Sequence, residues 1–448
     1  MSMHSIWRRR LAGAVASIAL LTGAAGAETV LIHAGTLLAV PGQKPLSQQT
    51  LVVTDGKVSA VKGGYLDAAA AGAPADARTI DLKNAFVLPG LIDCHVHITG
   101  ELGPRSQLAE VEDDPEETVL DGVVYANRTL MAGFTTVRDL GSPARTAFAL
   151  RDAINKGEVE GPTILAAGMM VSITAGHGDV NGFSEGVTHA LRPESVCNGA
   201  DDCRRAVREQ IRKGADVIKL ATTGGVLSNI AAGTGQQMFE DEAKAIVETA
   251  HMMGKKVASH AHAAGGINLA LRSGVDSIEH GSYLDPESVK LFRETGAYLV
   301  PTLLAGHTVV NMAKNSTTLT PAQATKALAV GERMKMAFGN AVKNGVKVAF
   351  GTDSGVSAHG TNAYEFKLMV EAGMTAADAI KAATINAADL LDRGNRIGTL
   401  EAGKDADIIA VAKSPIEDVT ELSRVQFVMR QGTVHKLNGA AVPFVPKT

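Results

Sequence analysis

The chain is poor in cysteine, in aromatic residues and in surplus charge of either sign. Three cysteines in 448 residues permit at most one intrachain disulfide. Cys197 and Cys203 bracket the short polar segment Asn198-Gly199-Ala200-Asp201-Asp202 and can pair in an oxidising compartment, which leaves Cys94 over. Aromatics make up 4% and the formal net charge is −4. With neither a polybasic field nor a basic stripe interleaved with aromatics, nucleic acid is not expected as a partner. The apolar run from Leu11 to Leu21 is too short to cross a bilayer. No Gly-x-Gly-x-x-Gly follows the first βα strand, which argues against a dinucleotide site.

What is present is an ordinary globular composition, 45% hydrophobic and 20% charged. The length suits either one large α/β barrel or two to three smaller domains. Arg8-Arg9-Arg10 forms a positive n-region, Leu11–Leu21 an apolar h-region, and Ala25-Gly26-Ala27 a small-x-small cleavage site. Residues 1–27 therefore read as a secretory signal, with an uncleaved anchor as the alternative. The mature protein is expected in a periplasmic or extracellular space, with no membrane attachment.

From Glu28 to about Asp81 the pattern is strand-like, in Val30–His33, Leu51–Val53, Val58–Val61 and Thr79–Leu82, with turn residues such as Asp55-Gly56 between. Ala406–Val411, Val425–Met429 and Thr433–Leu437 repeat the style at the other end. Two strand-rich ends around a long middle predict a small β-sandwich built from residues 28–85 and 393–440. Over 86–392 short apolar runs alternate with helical stretches. The candidate strands are Phe86–His97, Thr135–Leu140, Thr163–Met170, Asp216–Ala221, Lys256–His262, Ser277–His280, Tyr298–Leu303 and Lys347–Asp353, and Thr375–Leu391 reads as a closing helix. Eight such units predict an α/β fold of (β/α)8 TIM-barrel type, with a doubly wound open sheet as the alternative.

Chemistry-bearing residues stand at the ends of these strands. Residues 89–97 read Pro-Gly-Leu-Ile-Asp-Cys-His-Val-His. Alternate strand residues share a face, so His95 and His97 can aim at one metal ion, whereas Cys94 should point away. Alone, such a pair is equally a satisfied core pair or a surface pair. Lys219 interrupts the apolar strand Asp216-Val217-Ile218-Lys219-Leu220, where a bare ammonium is costly. It either points outward or pairs with an acid. At a metal site, a neutral lysine amine can instead take up CO2 as a carbamate that bridges two ions. His260 in Ser-His-Ala-His, His280 in Ile-Glu-His-Gly and Asp353 in Gly-Thr-Asp-Ser-Gly close later strands. In a barrel these ends converge on one mouth, and His95, His97, Lys219, His260, His280 and Asp353 supply N and O ligands suited to Zn2+.

These motifs, with Thr136-Val137-Arg138-Asp139 and the tail Gly398-Thr-Leu-Glu-Ala-Gly-Lys-Asp-Ala-Asp407, resemble the amidohydrolase superfamily over nearly the whole mature chain. The likeness is to the imidazolonepropionase-like branch, which includes metal-dependent dipeptidases and ochratoxin-hydrolysing amidohydrolases. It implies two divalent ions, most readily Zn2+. His95 and His97, with Asp353, would hold one ion, and the Lys219 carbamate would bridge it to another held by His260 and His280. His262 shares the face of His260 and is placed to touch substrate or solvent. Imidazolonepropionases proper resemble single-metal enzymes, so the fourth-strand lysine favours amide hydrolysis over their ring opening.

The implied activity is hydrolysis of an N-acyl amino acid or dipeptide-like amide, ochratoxin A being a reasonable test case, with Asp353 as general base and then acid. Cleavage of a cyclic amide or an ester is the enzymatic alternative. A periplasmic metal- or ligand-binding protein is the non-catalytic one, though binding alone needs neither a bridged ion pair nor a proton shuttle. On the loops, His177 in Ala-Gly-His-Gly, Ser228 and His359 are candidate substrate contacts, Ser228 through a carboxylate. Arg138-Asp139 reads as a structural ion pair. The resemblance also implies a homo-oligomer.

Overall fold

The computed structural model describes residues 28–230, 233–315 and 318–447. The expected signal segment, 1–27, lies outside them. Near the start run β1 (Thr29–Leu37), β2 (Leu46–Thr54), β3 (Lys57–Gly63) and β4 (Arg78–Pro89). The middle contributes β5 (Leu91–Val96), β6 (Phe134–Asp139), β7 (Thr163–Ala166), β8 (Val217–Ala221), β9 (Lys256–Ala261), β10 (Ser277–His280) and β11 (Tyr298–Val300). Last come β12 (Ile408–Val411), β13 (Phe427–Arg430), β14 (Thr433–Leu437) and β15 (Ala440–Ala441). The architecture is α/β. Among the described residues no helix is long and apolar enough to cross a membrane.

Strands from both chain ends join in one sheet, ordered β15-β14-β13-β12-β4-β1-β2-β3, in which only β1 and β4 pair in parallel. Alternation places its residues on two sides. Phe86, Leu88, Ile409 and Val411 join the large core of the central part, while Val87, Ile408 and Ala410 face a second cluster with Val30, Ile32, Leu51, Val53 and Val58. The two halves also meet through backbone bonds, Val58 N donating to Lys404 O (2.9 Å) and Ala406 N to Gly56 O (2.8 Å).

The central strands form two parallel sheets, β5-β6-β7 and β8-β9-β10-β11, with helices between successive strands. Every residue of β5, β6 and β8 is buried, as expected of strands covered on both faces. Parallel bridges continue the pairing beyond the sheets. Val171 meets Leu220 beside β8, Leu299 of β11 meets Val348, and Ser354 meets Val96 of β5.

Four expected strands differ substantially in extent, Thr163–Met170 ending at Ala166. Phe86–His97 is two strands, because the chain leaves the eight-stranded sheet at Pro89 and enters the parallel one at Leu91. Gly90 is the passage: a Cβ there would lie 2.2 Å from Thr135 Oγ1. Tyr298–Leu303 stops at Val300, since Leu303 already opens the helix Leu303–Asn315. Lys347–Asp353 makes bridges rather than a ladder, its backbone donors being shared among several segments: Ala349 N donates to Leu299 O (3.1 Å), Phe350 N to Ala382 O (3.0 Å) and Asp353 N to His95 O (2.7 Å), while Thr352 N also reaches Asp93 Oδ1 (3.1 Å). The closing helix carries a π-helical turn, Ala382–Asn386, between Ala376–Lys381 and Ala387–Leu390.

Cys197 and Cys203 are joined in a disulfide, and Cys94 is buried with Ile92 and Val300. Peptide mapping without reductant should recover that link and a free Cys94. Replacing both partners by alanine should lower stability by about 2 kcal/mol, from the entropy of a short closed loop. An unchanged unfolding midpoint would contradict this.

Candidate metal centre

At the ends of the parallel strands the side chains form two groups. The ligand atoms of His95, His97 and Asp353 lie within 4.8 Å of one another, and so do those of His260, His262 and His280. The groups adjoin, the His95 and His280 rings being 5.2 Å apart. Asp353 Oδ1 lies 3.1 Å from His97 Nε2 and 3.5 Å from His95 Nε2, yet makes no hydrogen bond. Lys219 Nζ is likewise buried without a partner. Two orphaned polar groups of opposite formal charge in one cavity are an arrangement that folding alone disfavours.

The histidines are anchored from behind. His95 Nδ1 meets Glu279 Oε2 (2.8 Å), His97 Nδ1 meets Gly141 O (2.6 Å), His262 Nδ1 meets Ser282 Oγ (2.7 Å) and His280 Nδ1 meets Thr302 Oγ1 (2.7 Å). With Nδ1 engaged, Nε2 of each is left for the centre, the pattern of metal-ligating imidazoles. The backbone is under strain here: His280 (φ 73°), Thr302 (φ 50°) and Asp353 (φ 58°) all adopt left-handed conformations, each worth about 1–3 kcal/mol and concentrated at functional sites.

The electrostatics favour ligation. Burial holds His95 and His262 near pKa 4 and His260 and His280 well below the usual imidazole value, so these rings stay neutral. Burial also lowers Lys219 to about 8, against the pull of Glu279 and Asp353. Burial alone would raise Asp353, but His95, His97 and Lys219 outweigh it and hold the carboxyl at about 2. A carboxylate, neutral imidazoles and a readily deprotonated amine make a donor set that fits divalent metal ions.

The cavity over these groups, about 230 Å³, is lined by His95, His97, His177, Lys219, His260, His262, His280 and Asp353 on its polar side. The six residues expected to hold metal are thus brought together. His262 stands with His260 and His280 in a group that could hold an ion, and it also lines the cavity, where a substrate contact is open to it. His177 lines the cavity with its ring 4.0 Å from that of His260. Ser228 is absent from the lining, its hydroxyl being bonded to His177 Nδ1. His359 is also outside it: Nε2 bonds Gly100 O (2.9 Å) and the ring stacks on Tyr125.

The expected Arg138–Asp139 pair does not form, since neighbouring strand residues point to opposite faces. Arg138 reaches Glu279 Oε1 (2.9 Å), while Asp139 accepts from Ile98 N (2.7 Å) and Ser142 Oγ. Glu279 itself escaped the sequence reading. The signal was an acid inside an apolar strand, directly before a candidate ligand.

Residues 86–436 match the amidohydrolase family, and the chain belongs to it: it is a hydrolase acting on amide bonds. An ochratoxinase from Aspergillus niger is 33% identical over 434 residues, covering 92% of this chain and 87% of that one. The crystal structure of a Xaa-Pro dipeptidase with bound methionine superposes with a TM-score of 0.86 at 39% identity, covering 91% of this chain and all of that one. An imidazolonepropionase from Sphingopyxis alaskensis is 25% identical over 382 residues, 80% of this chain and 86% of that one.

Glu279→Gln should destabilise the fold by about 3–5 kcal/mol, because Arg138 is left as a buried charge without a counter-ion. Urea denaturation measures this, and a loss under 1 kcal/mol would show that the pair is dispensable.

Proposed function

We propose that the chain is a secreted, binuclear metal-dependent amidohydrolase that splits N-acyl amino acids or dipeptide-like amides, ochratoxin A among the candidates. The carrying observation is the pair of unpartnered buried groups, Lys219 Nζ and Asp353 Oδ1, set among two triads of metal-donor residues. The ochratoxinase and Xaa-Pro dipeptidase relatives support the substrate class. In this reading β5–β11 and the bridged segment 347–354 act as a (β/α)8 barrel over residues 86–392. The chain-end sheet, 28–85 with 393–440, is its β-sandwich companion. Residues 1–27 direct export to a periplasmic or extracellular space, and the mature chain assembles as a homo-oligomer.

His95, His97 and Asp353 would hold one ion and His260 and His280 another, with Lys219 as a CO2-derived carbamate between them; Zn2+ suits these donors. Such ions supply acidification of water and polarisation of a carbonyl. Asp353 carries the proton. Its carboxylate accepts it from the attacking water and returns it to the departing nitrogen, which leaves as the amine. His177, oriented by Ser228, borders the space where the acyl part lies.

Amino-acid release from a panel of N-acyl amino acids, dipeptides and ochratoxin A tests the reading. No release from protein carrying two metals per chain would assign the site to cyclic amides or esters instead. Asp353→Asn should keep its metal while turnover falls by about 10²–10⁴-fold, and undiminished turnover would refute the proton role. Lys219→Ala should lower metal content toward one ion per chain, with partial recovery in short carboxylic acids. Full occupancy in that variant would remove the carbamate from the scheme.

A further inference from the structure

Lys326 is a half-buried ammonium that pairs with no acid among the described residues, and it stands directly behind the cavity lining, not in it. It lies on the helix Pro321–Lys343, which Thr320 caps by accepting from Gln323 N (3.3 Å). Its Nζ donates to Gly225 O (2.8 Å) and to Ser228 O, and burial alone lowers its pKa. The two carbonyls flank Val226 and Leu227, both of which line the cavity. Four and eight residues on, Val330 and Met334 share the helix face of Lys326 and line the same cavity. Its charge is felt at His262.

An ammonium has three donors, of which two are spent on carbonyls. A cation half removed from water without a counter-ion leaves an incentive to bind an anion. Ser228, the carboxylate contact suggested by sequence, has its hydroxyl engaged with His177 instead. The cavity wall nearest Lys326 is apolar: Val226 and Leu227 lie between its two carbonyl partners, and Val330 and Met334 follow it on the helix.

We propose that Lys326 is the specificity residue that binds the α-carboxylate of a substrate whose terminal residue is apolar. This rests on the amide-hydrolase reading above and adds the recognition element that reading lacks. The carboxylate takes the free donor of Lys326 at the rim, the side chain lies against the aliphatic wall, and the scissile amide extends inward toward Asp353.

The test compares L-leucine with L-leucinamide, which differ only at the carboxyl group, by calorimetry on the metal-loaded full chain. In parallel, kcat and KM are measured on N-acyl-L-leucine and N-acyl-L-leucinamide. Wild type should bind leucine about ten- to hundredfold more tightly than the amide, as for a hydrogen bond to a charged group. Lys326→Met should erase that preference by weakening leucine far more than leucinamide. Lys326→Arg should retain most of the preference. Arg333→Met, which removes the exposed cation over Tyr283 two turns further along the same helix, should change neither ligand.

A preference that survives in Lys326→Met overturns the proposal, and so does a wild type without one. Equal weakening of both ligands also overturns it, reducing Lys326 to a brace for the 225–228 loop. Should Lys326→Met not fold, Lys326→Gln and the wild-type comparison decide in its place. Hydrolysis without carboxylate preference would sink this subsite and leave the amidase reading standing. Preference in binding without hydrolysis of any acyl amino acid would do the reverse.

Discussion

The Glu279 carboxylate sits where three strands of the parallel layer have to agree. It accepts from Arg138 on β6 (2.9 Å), from Ser277 on its own strand (2.6 Å) and meets His95 at the end of β5 (2.8 Å). β10 is not a hydrogen-bonded neighbour of β5 or β6, so this link crosses the interior instead of running along a sheet. Burying a carboxylate and a guanidinium costs several kcal/mol each, and the arrangement persists only because the donors and acceptors are matched. Burial would raise the Glu279 pKa, but Arg138 and His95 outweigh it and hold the group at about 2. It therefore stays anionic at neutral pH. The orientation of His95, and with it the approach of Nε2 to Asp353, follows from that anchor.

A second tie works from the opposite side. Asp93, two residues before His95, accepts from Thr352 N, from Thr352 Oγ1 (2.6 Å) and from Asn362 Nδ2 (2.8 Å). The segment that carries Asp353 lacks a regular ladder and is held by these side-chain bonds together with backbone bonds to β5, Asp353 N donating to His95 O (2.7 Å). The left-handed conformation of Asp353 is affordable there because its neighbours are fixed on both flanks. His280 is supported comparably, through Thr302, itself left-handed.

Much of this was legible in the chain. Strand period and burial go together, so Val217–Ala221, apolar but for Lys219, could be read as a doubly covered strand, and Lys219 within it as an anomaly requiring chemistry. His95 and His97 followed from alternation. The limits of reading came from contacts between distant segments. Nothing local to Phe86–His97 shows that it serves two sheets, because the constraint at Gly90 is the nearness of Thr135. Glu279 went unnoticed since its partner, Arg138, lies 141 positions away. The Ser228 hydroxyl looked free because the ring that takes it belongs to another loop. The stacking of His359 on Tyr125 likewise joins residues far apart in the chain.

The cavity has two suppliers. Its polar residues come from the ends of separate strands and the loops after them, tied across the interior. Much of its apolar wall, Ala305, Gly306, Val309, Val330 and Met334, comes from a single stretch comprising the helices Leu303–Asn315 and Pro321–Lys343. These helices pack chiefly on each other and meet the 225–228 loop through Gln323 and Lys326. Changes in that stretch alter the shape offered to a ligand without disturbing the histidines. Reaction and ligand preference are therefore written in separate parts of the chain, so that the pocket can be re-cut by changing one helical hairpin.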